Sequence, residues 1–180
     1  RIPRQNRGGW ELYQLGQEEF YKFTPEANIR AQELLRSAIE LDESYAAAHA
    51  RLAYSIILSM VYFDAETDTA LMDEALRLAR LAIQLDDQDA NGYFTIGRVH
   101  HARQEYGLAI KALEHALELN PCLAVTYCGL GDSLAFEGRL EEAMAQFDNA
   151  IRLSPRDPFR WAFYSYRSLA HLFREGYSEA

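Results

Sequence analysis

Residues 109–121 read AIKALEHALELNP, and residues 143–155 read AMAQFDNAIRLSP. The two phrases share their small, large and acidic positions and end in the same proline, 34 positions apart. A reaction centre needs one constellation of side chains, whereas a stack of units needs the same packing surface repeatedly, so this recurrence points to architecture first. Counting from Ala90, the landmarks of one unit are Tyr93, Ile96, Gly97, Tyr106, Ala109, Leu113, Ala116 and Pro121. Adding 34 gives Tyr127, Leu130, Gly131, Leu140, Ala143, Phe147, Ala150 and Pro155, each in the same size class.

These positions match those of the tetratricopeptide repeat, a helix-turn-helix unit, and the two units resemble it closely. The fold expected is all-α, a right-handed superhelix of antiparallel helix pairs with about four and a half repeats. In such a unit Gly97 and Gly131 on the first helix, with Ala109 and Ala143 on the second, sit where two helices approach closely. Substituting Ala109 or Ala143 by Leu is expected to cost roughly 1–3 kcal/mol through overpacking. Leu113 and Phe147 fill the space towards the next unit, and Pro121 and Pro155 stop the second helix.

Looser copies lie upstream. Leu52 and Ala53 begin one whose second helix carries Ala75, Ala79, Ala82 and Asp87; it is stretched by ten residues, since Ala46 to Ala90 is 44. Before it, Leu15 and Gly16 precede Ala31, Leu35, Ala38 and Glu43, with Thr24 and Pro25 suited to N-cap and first helical residue. After Pro155, DPFRWAFYSYRSLAHLF reads as a further first helix and EGYSEA as the start of a second, leaving the last unit cut in half. An apolar face is therefore expected near the C-terminus, exposed or covered by a neighbouring chain. The domain reading is a linker over 1–9, containing three arginines before Trp10, and a repeat domain over 10–180.

Composition narrows the function classes. Of 180 residues, 49% are hydrophobic and 25% charged, enough for a buried core. Apolar runs are broken by charge, so no span of about 20 apolar residues for a membrane is present. A net charge of −9 repels phosphate backbones and argues against nucleic-acid binding by this segment. RIPRQNRGG lacks the apolar stretch of a secretory signal and no starting Met precedes it, so the chain reads as a piece of a longer polypeptide. Cys122 and Cys128 form neither a CxxC pair nor a disulfide framework; they read as small apolar fillers on different faces of one helix, in a reducing cytoplasm.

A narrower resemblance comes from WELYQLGQEEFYKFTPEANIRAQELLRSAIELDESYAAAHARLAYS, with its LY-x-LG helix, TPE turn, A-IELD ending and A-AHA-LA start, together with LSPRDPFRWAF and its three-residue extension. This is similar to the repeat region at the C-terminal end of bacterial signalling proteins, in which it follows a class III adenylate or guanylate cyclase domain or a winged-helix DNA-binding domain. The resemblance implies a cytoplasmic module of a larger signalling protein. No cyclase or winged-helix motif is present, so no residue of those activities is carried over.

The concave face of such a stack is lined by first helices. Mapping the repeat positions that face it selects Tyr13, Gln17, Tyr54, Leu58, Phe94, Arg98, His101, Asp132 and Phe136 as a partner-binding groove for a peptide or helix. Each of these side chains either meets a partner or packs between adjacent first helices, and spacing alone does not separate the two. Phe94→Ala with Arg98→Ala is expected to abolish partner capture with stability nearly intact. The Lys/Asn clamp of chaperone-tail receptors is missing, because the equivalent positions hold Tyr13, Gln17, Tyr54, Phe94 and Arg98. Arg98 and His101 nonetheless suit an acidic ligand.

Other candidates for chemistry fall away. His100 and His101 are consecutive and diverge on a helix, unlike an i, i+4 metal pair, and His171 repeats the packing position of His100. Asp64, Glu66 and Asp68 resemble the start of a calcium loop, but Thr69 and Ala75 replace its glycine and its closing glutamate. Asp68 or Thr69 is expected to cap the following helix, and Tyr62 and Phe63 to stand proud as a weaker docking surface. Asp73 and Arg77 form an i, i+4 helix-supporting pair. No GxSxG, glycine-rich phosphate loop or Cys with a helper His is found, so no catalytic residue, cofactor or metal is assigned. The reading is a non-enzymatic protein-interaction module, with homodimerisation as its rival: cyclase domains of that class work in pairs, and exposed end faces would bring two effector domains together.

Overall fold

The computed structural model describes residues 7–63 and 68–178. Its elements are all helices: α1 (Arg7–Tyr21), α2 (Pro25–Leu41), α3 (Ala46–Tyr62), α4 (Thr69–Leu85), α5 (Ala90–Ala102), α6 (Tyr106–Leu119), α7 (Ala124–Phe136), α8 (Leu140–Leu153) and α9 (Arg160–Ser178). Successive pairs stack into a superhelix in which α1, α3, α5, α7 and α9 are the first helices.

The small residues nest the pairs. A methyl group added at Gly97 would stand 2.5 Å from Leu113 Cγ and 3.2 Å from Ala109 O; one at Gly131 would meet Phe147 Cε1 at 2.8 Å and Ala143 O at 3.0 Å. Gly16 repeats this more loosely, 3.1 Å from Leu35 Cγ. In the stretched unit Ala53 takes the glycine's place and Ala79 the large residue's, both fully buried, so volume gained on one helix is given up on the other. The ten extra residues are spread out: α3 exceeds α5 by four, α4 exceeds α6 by three, and the intervening connection is three longer.

The second helices all end alike. The backbone N–H of Asp42, Asp86, Asn120 and Ser154 donates to the carbonyl of Ala38, Ala82, Ala116 and Ala150 respectively. A side-chain oxygen of Asp42, Asp86 and Asn120 then accepts from the N–H two residues on, turning the chain. The two units without proline therefore stop as cleanly as those with Pro121 and Pro155, which lie just beyond the cap and bar any continuation. Thr24 caps α2, accepting from Ala27 N at 3.2 Å with Pro25 next, and Asp68 caps α4, accepting from Ala70 N at 2.7 Å.

Several expectations change. α1 begins at Arg7, so part of the expected linker is helical, while residues 1–6 lie outside the described residues. Residues 175–178 do not open a second helix, because α9 runs on without a break to Ser178; the end of EGYSEA, residues 179–180, lies outside the described residues. Cys122 sits exposed in the turn before α7 rather than on a shared helix; only Cys128 is a buried filler. Asp73 pairs with Arg103 across the α4–α5 packing, not with Arg77. Leu15 is 47% exposed because nothing among the described residues stacks in front of α1. Asp64 and Glu66 fall outside the described residues.

Candidate functional site: the concave face

The inner surface is built from first-helix side chains, and the last helix closes over it. Phe159, in the connection before α9, packs against Phe20, Tyr21 and Phe23 with ring centroids 5.9, 5.9 and 5.3 Å apart. Trp161 meets Phe23 at 5.2 Å and Tyr62 at 5.7 Å, and the hydroxyls of Tyr62 and Tyr166 share a hydrogen bond. The superhelix is thus wound tightly enough for its fifth first helix to touch its first two units. Tyr62 and Phe63 do not stand proud: both lie half-buried around Phe23.

This closure divides the concave space. A cavity of about 300 Å³ remains open between Tyr13, Arg51, Tyr54, Asp89, Phe94 and Phe159. A second, smaller space of about 30 Å³ remains, partly covered, among Tyr54, Leu58, Tyr62, Arg98, Phe159 and Tyr166. Phe159 is a wall of both. The guanidinium of Arg51 lies 4.5 Å from the centroid of the Phe20 ring, a cation–π contact at the cavity mouth.

Eight of the nine expected groove residues separate into three sets, and the ninth, Gln17, is half-buried and lines none of these spaces. Tyr13, Tyr54 and Phe94 line the open cavity; Tyr13 accepts from Gln17 Nε2 at 2.8 Å and packs on Tyr45, while Tyr54 and Phe94 meet edge to face at 5.0 Å. Leu58, Arg98 and Asp132 are buried, the last two as an ion pair of 2.9 Å. His101 and Phe136 lie at the far rim with Tyr106, where Phe136 stacks on Tyr106 at 5.3 Å and is 46% exposed. Burial of both Phe94 and Arg98 overturns the expectation that their truncation would leave stability intact, since it would open a cavity and strand a buried carboxylate.

Electrostatics follow from the covering. Burial alone disfavours the charge on Arg98, yet the Asp132 carboxylate and the phenols of Tyr62, Tyr166 and Tyr54 hold its guanidinium above the ordinary value. His101, with Nε2 3.2 Å from Asp132 and Nδ1 3.0 Å from Ser133 Oγ, is pushed down to about 4 by burial and by Arg98, so it is neutral at pH 7. Burial raises the phenols of Tyr54, Tyr62 and Tyr166 and the Cys128 thiol, leaving them protonated. Among the described residues no three His, Cys, Asp or Glu side chains are grouped to hold a metal ion, and no helix is long and apolar enough to cross a membrane. A protonated thiol beside a saturated ion pair offers no nucleophile; ring faces and shape are what this surface presents.

Residues 90–121 and 124–157 match the family model of the tetratricopeptide repeat. These two units are tetratricopeptide repeats. Over 80 residues, 44% of this chain, the sequence is 34% identical to the peroxisomal targeting signal receptor of Kluyveromyces lactis, of which the match covers 14%. Over 146 residues, 80% of this chain, it is 25% identical to the transcriptional regulator HilA of Salmonella typhimurium, of which the match covers 26%. The chain thus corresponds to a minor part of these curated relatives. Among solved structures, a thermophilic tetratricopeptide-repeat protein of Thermus thermophilus, TTC0263, superposes with a TM-score of 0.74 at 21% identity, covering 92% of this chain and 82% of that one. YrrB, described as a tetratricopeptide-repeat protein with an unusual peptide-binding site, gives 0.54 at 20% identity, covering 96% and 80%. At such identities the likeness establishes the helical-repeat superhelix alone, and the family match belongs to residues 90–121 and 124–157. This fold is generally a non-catalytic scaffold for protein interactions.

Sequence reasoning missed Phe20, Tyr21, Phe23 and Arg51 on one side of the closure and Phe159, Trp161 and Tyr166 on the other. Five aromatic residues between Phe159 and Tyr166 were a visible signal, but which rings they would reach was not.

Proposed function

We propose that this chain is a non-enzymatic interaction module of a larger bacterial signalling protein in the cytoplasm, its repeat domain including α1 from Arg7, and that it binds a segment of a protein partner on its concave face. The observation that carries the reading is the open cavity of about 300 Å³ walled by Tyr13, Arg51, Tyr54 and Phe94, aromatic and polar groups suited to anchoring a side chain. The regulator and the targeting-signal receptor among its relatives, and the peptide-binding site named for YrrB, support it. Arg51→Glu, which reverses the arginine lining the cavity mouth, should abolish capture of partners by the full-length protein, while Lys111→Glu on an exposed face of α6 should not. Equal capture by both variants would refute the groove.

A second reading, self-association, is favoured by Tyr164 and Leu172 on α9, 52% and 64% exposed and eight residues apart, which puts them about 80° apart around the helix, within one broad stripe. Sedimentation over a concentration series should then show a dimer that Leu172→Glu dissociates; a monomer throughout removes this reading.

A further inference from the structure

We infer that the segment Phe159–Tyr166 is a strap occupying, within its own chain, a subsite of the concave face made for a partner segment with two aromatic residues two positions apart. The inference rests on the groove reading above and deepens it, naming what the partner must carry and what must move to admit it.

The strap's grip on the first two units is aromatic. Phe159 and Trp161 insert beside Phe20, Phe23 and Tyr62, and the only polar link among the described residues is the Tyr62–Tyr166 hydroxyl pair. The ion pairs of α9, Arg167 with Asp148 and Arg174 with Glu141, both run to α8 instead. The body of the helix is fastened to its neighbours in the stack by Phe163 and Ala170, buried in the core shared with α7 and α8, with these exposed ion pairs adding little, while its leading end also rests on ring contacts across the groove. Burial of apolar surface is non-directional, so another chain's rings can replace these contacts.

Two further observations place a receptor under the strap. Phe23 holds φ at +52°, a conformation costly for a side chain of its size, and its ring contacts Phe159, Trp161, Tyr62 and Phe63. Trp161 is 42% exposed, so the strap does not seal the face it covers. Because Phe159, with Tyr54, Phe94 and Val125, lines both the 300 Å³ and 30 Å³ spaces, withdrawing it widens the passage between them along a groove running from Tyr13 to Arg98. The connection that carries Phe159 is six residues long, against four at the other junctions between units, which supplies the slack for withdrawal.

The probe is a fluorescent peptide with the sequence of residues 154–166, SPRDPFRWAFYSY, titrated by anisotropy against the protein and against Phe159→Ala/Trp161→Ala. The variant should bind it at least ten-fold more tightly than the wild type, and a peptide with alanine for its Phe and Trp should not bind. Equal affinity for both proteins, or no saturable binding to a variant that keeps its helical signal, overturns the inference. Should the double variant lose helicity, Trp161→Ala alone takes its place under the same criteria. If strap removal changes nothing while Arg51→Glu still abolishes partner capture, this inference falls and the groove reading stands; if Arg51→Glu is neutral as well, both fall.

Discussion

Arg98 and Asp132 hold the same position in two adjacent repeats, and they bind each other: Nη1 lies 2.9 Å from Oδ2, with 6% and 3% of the side chains exposed. A repeat array normally puts equivalent side chains side by side along its groove, and opposite charges there tie one unit to the next. Asp132→Ala should cost roughly 3–5 kcal/mol, because the guanidinium stays buried without its partner. Arg98→Met with Asp132→Leu should lie much nearer the wild type, since neither charge then has to be desolvated. Urea unfolding of the three variants measures the difference; an Asp132→Ala protein as stable as the wild type would mean that the pair is hydrated.

His101 makes stability depend on pH. Its folded value is near 4 and its ordinary value 6.5, so between these the unfolded chain binds more protons. Stability conferred by the neutral ring is complete above pH 6.5 and is lost as pH falls towards 4, up to roughly 3 kcal/mol at about 1.36 kcal/mol per unit. His101→Gln should flatten the thermal-melting profile over that interval relative to the wild type. Parallel profiles would show the imidazole titrating freely.

Gly97 and Leu113 should behave as one packing unit. Gly97→Ala drives a methyl group to 2.5 Å from Leu113 Cγ, and should destabilise by about 1–3 kcal/mol. Leu113→Ala alone should cost about 2–5 kcal/mol. The double variant reproduces the Ala53 and Ala79 pairing of the stretched unit, so it should be more stable than the sum of the two by at least about 0.5 kcal/mol. Gly16→Ala, with its nearest contact at 3.1 Å, should be milder than Gly97→Ala in the same denaturation assay.

The turns inside the units offer a gain. Gln104 and Gly138 are equivalent, with φ of +61° and +80°, in the left-handed region that favours glycine. Gln104→Gly should stabilise by roughly 0.5–1 kcal/mol, and Gly138→Ala should destabilise by roughly 1 kcal/mol, although nothing stands within 4 Å of the added methyl. Calorimetric melting of both variants checks the pair of signs.

Much of the fold was legible from spacing, since nesting is a nearest-neighbour matter: Gly97 against Ala109 and Leu113, or Thr24 over α2, involve residues less than one repeat apart. The concave site was legible only in part. Tyr13, Tyr54 and Phe94 do line an open cavity, but repeat position said nothing about whether Leu58, Arg98 or Asp132 would be covered. Nor did it place Phe23, since an aromatic residue in a left-handed turn runs against local preference and is held there by rings from α3 and α9.

By itself, then, the amino-acid order determined the helices, their ends and the close pairing within each unit, because these rest on backbone chemistry and on volumes matched over a few turns. Only the tertiary structure decided that Phe159 and Trp161 reach Phe20, Phe23 and Tyr62. That meeting depends on small rotations and displacements accumulated over four stacked units, a sum to which every interface contributes and which no single stretch of sequence encodes.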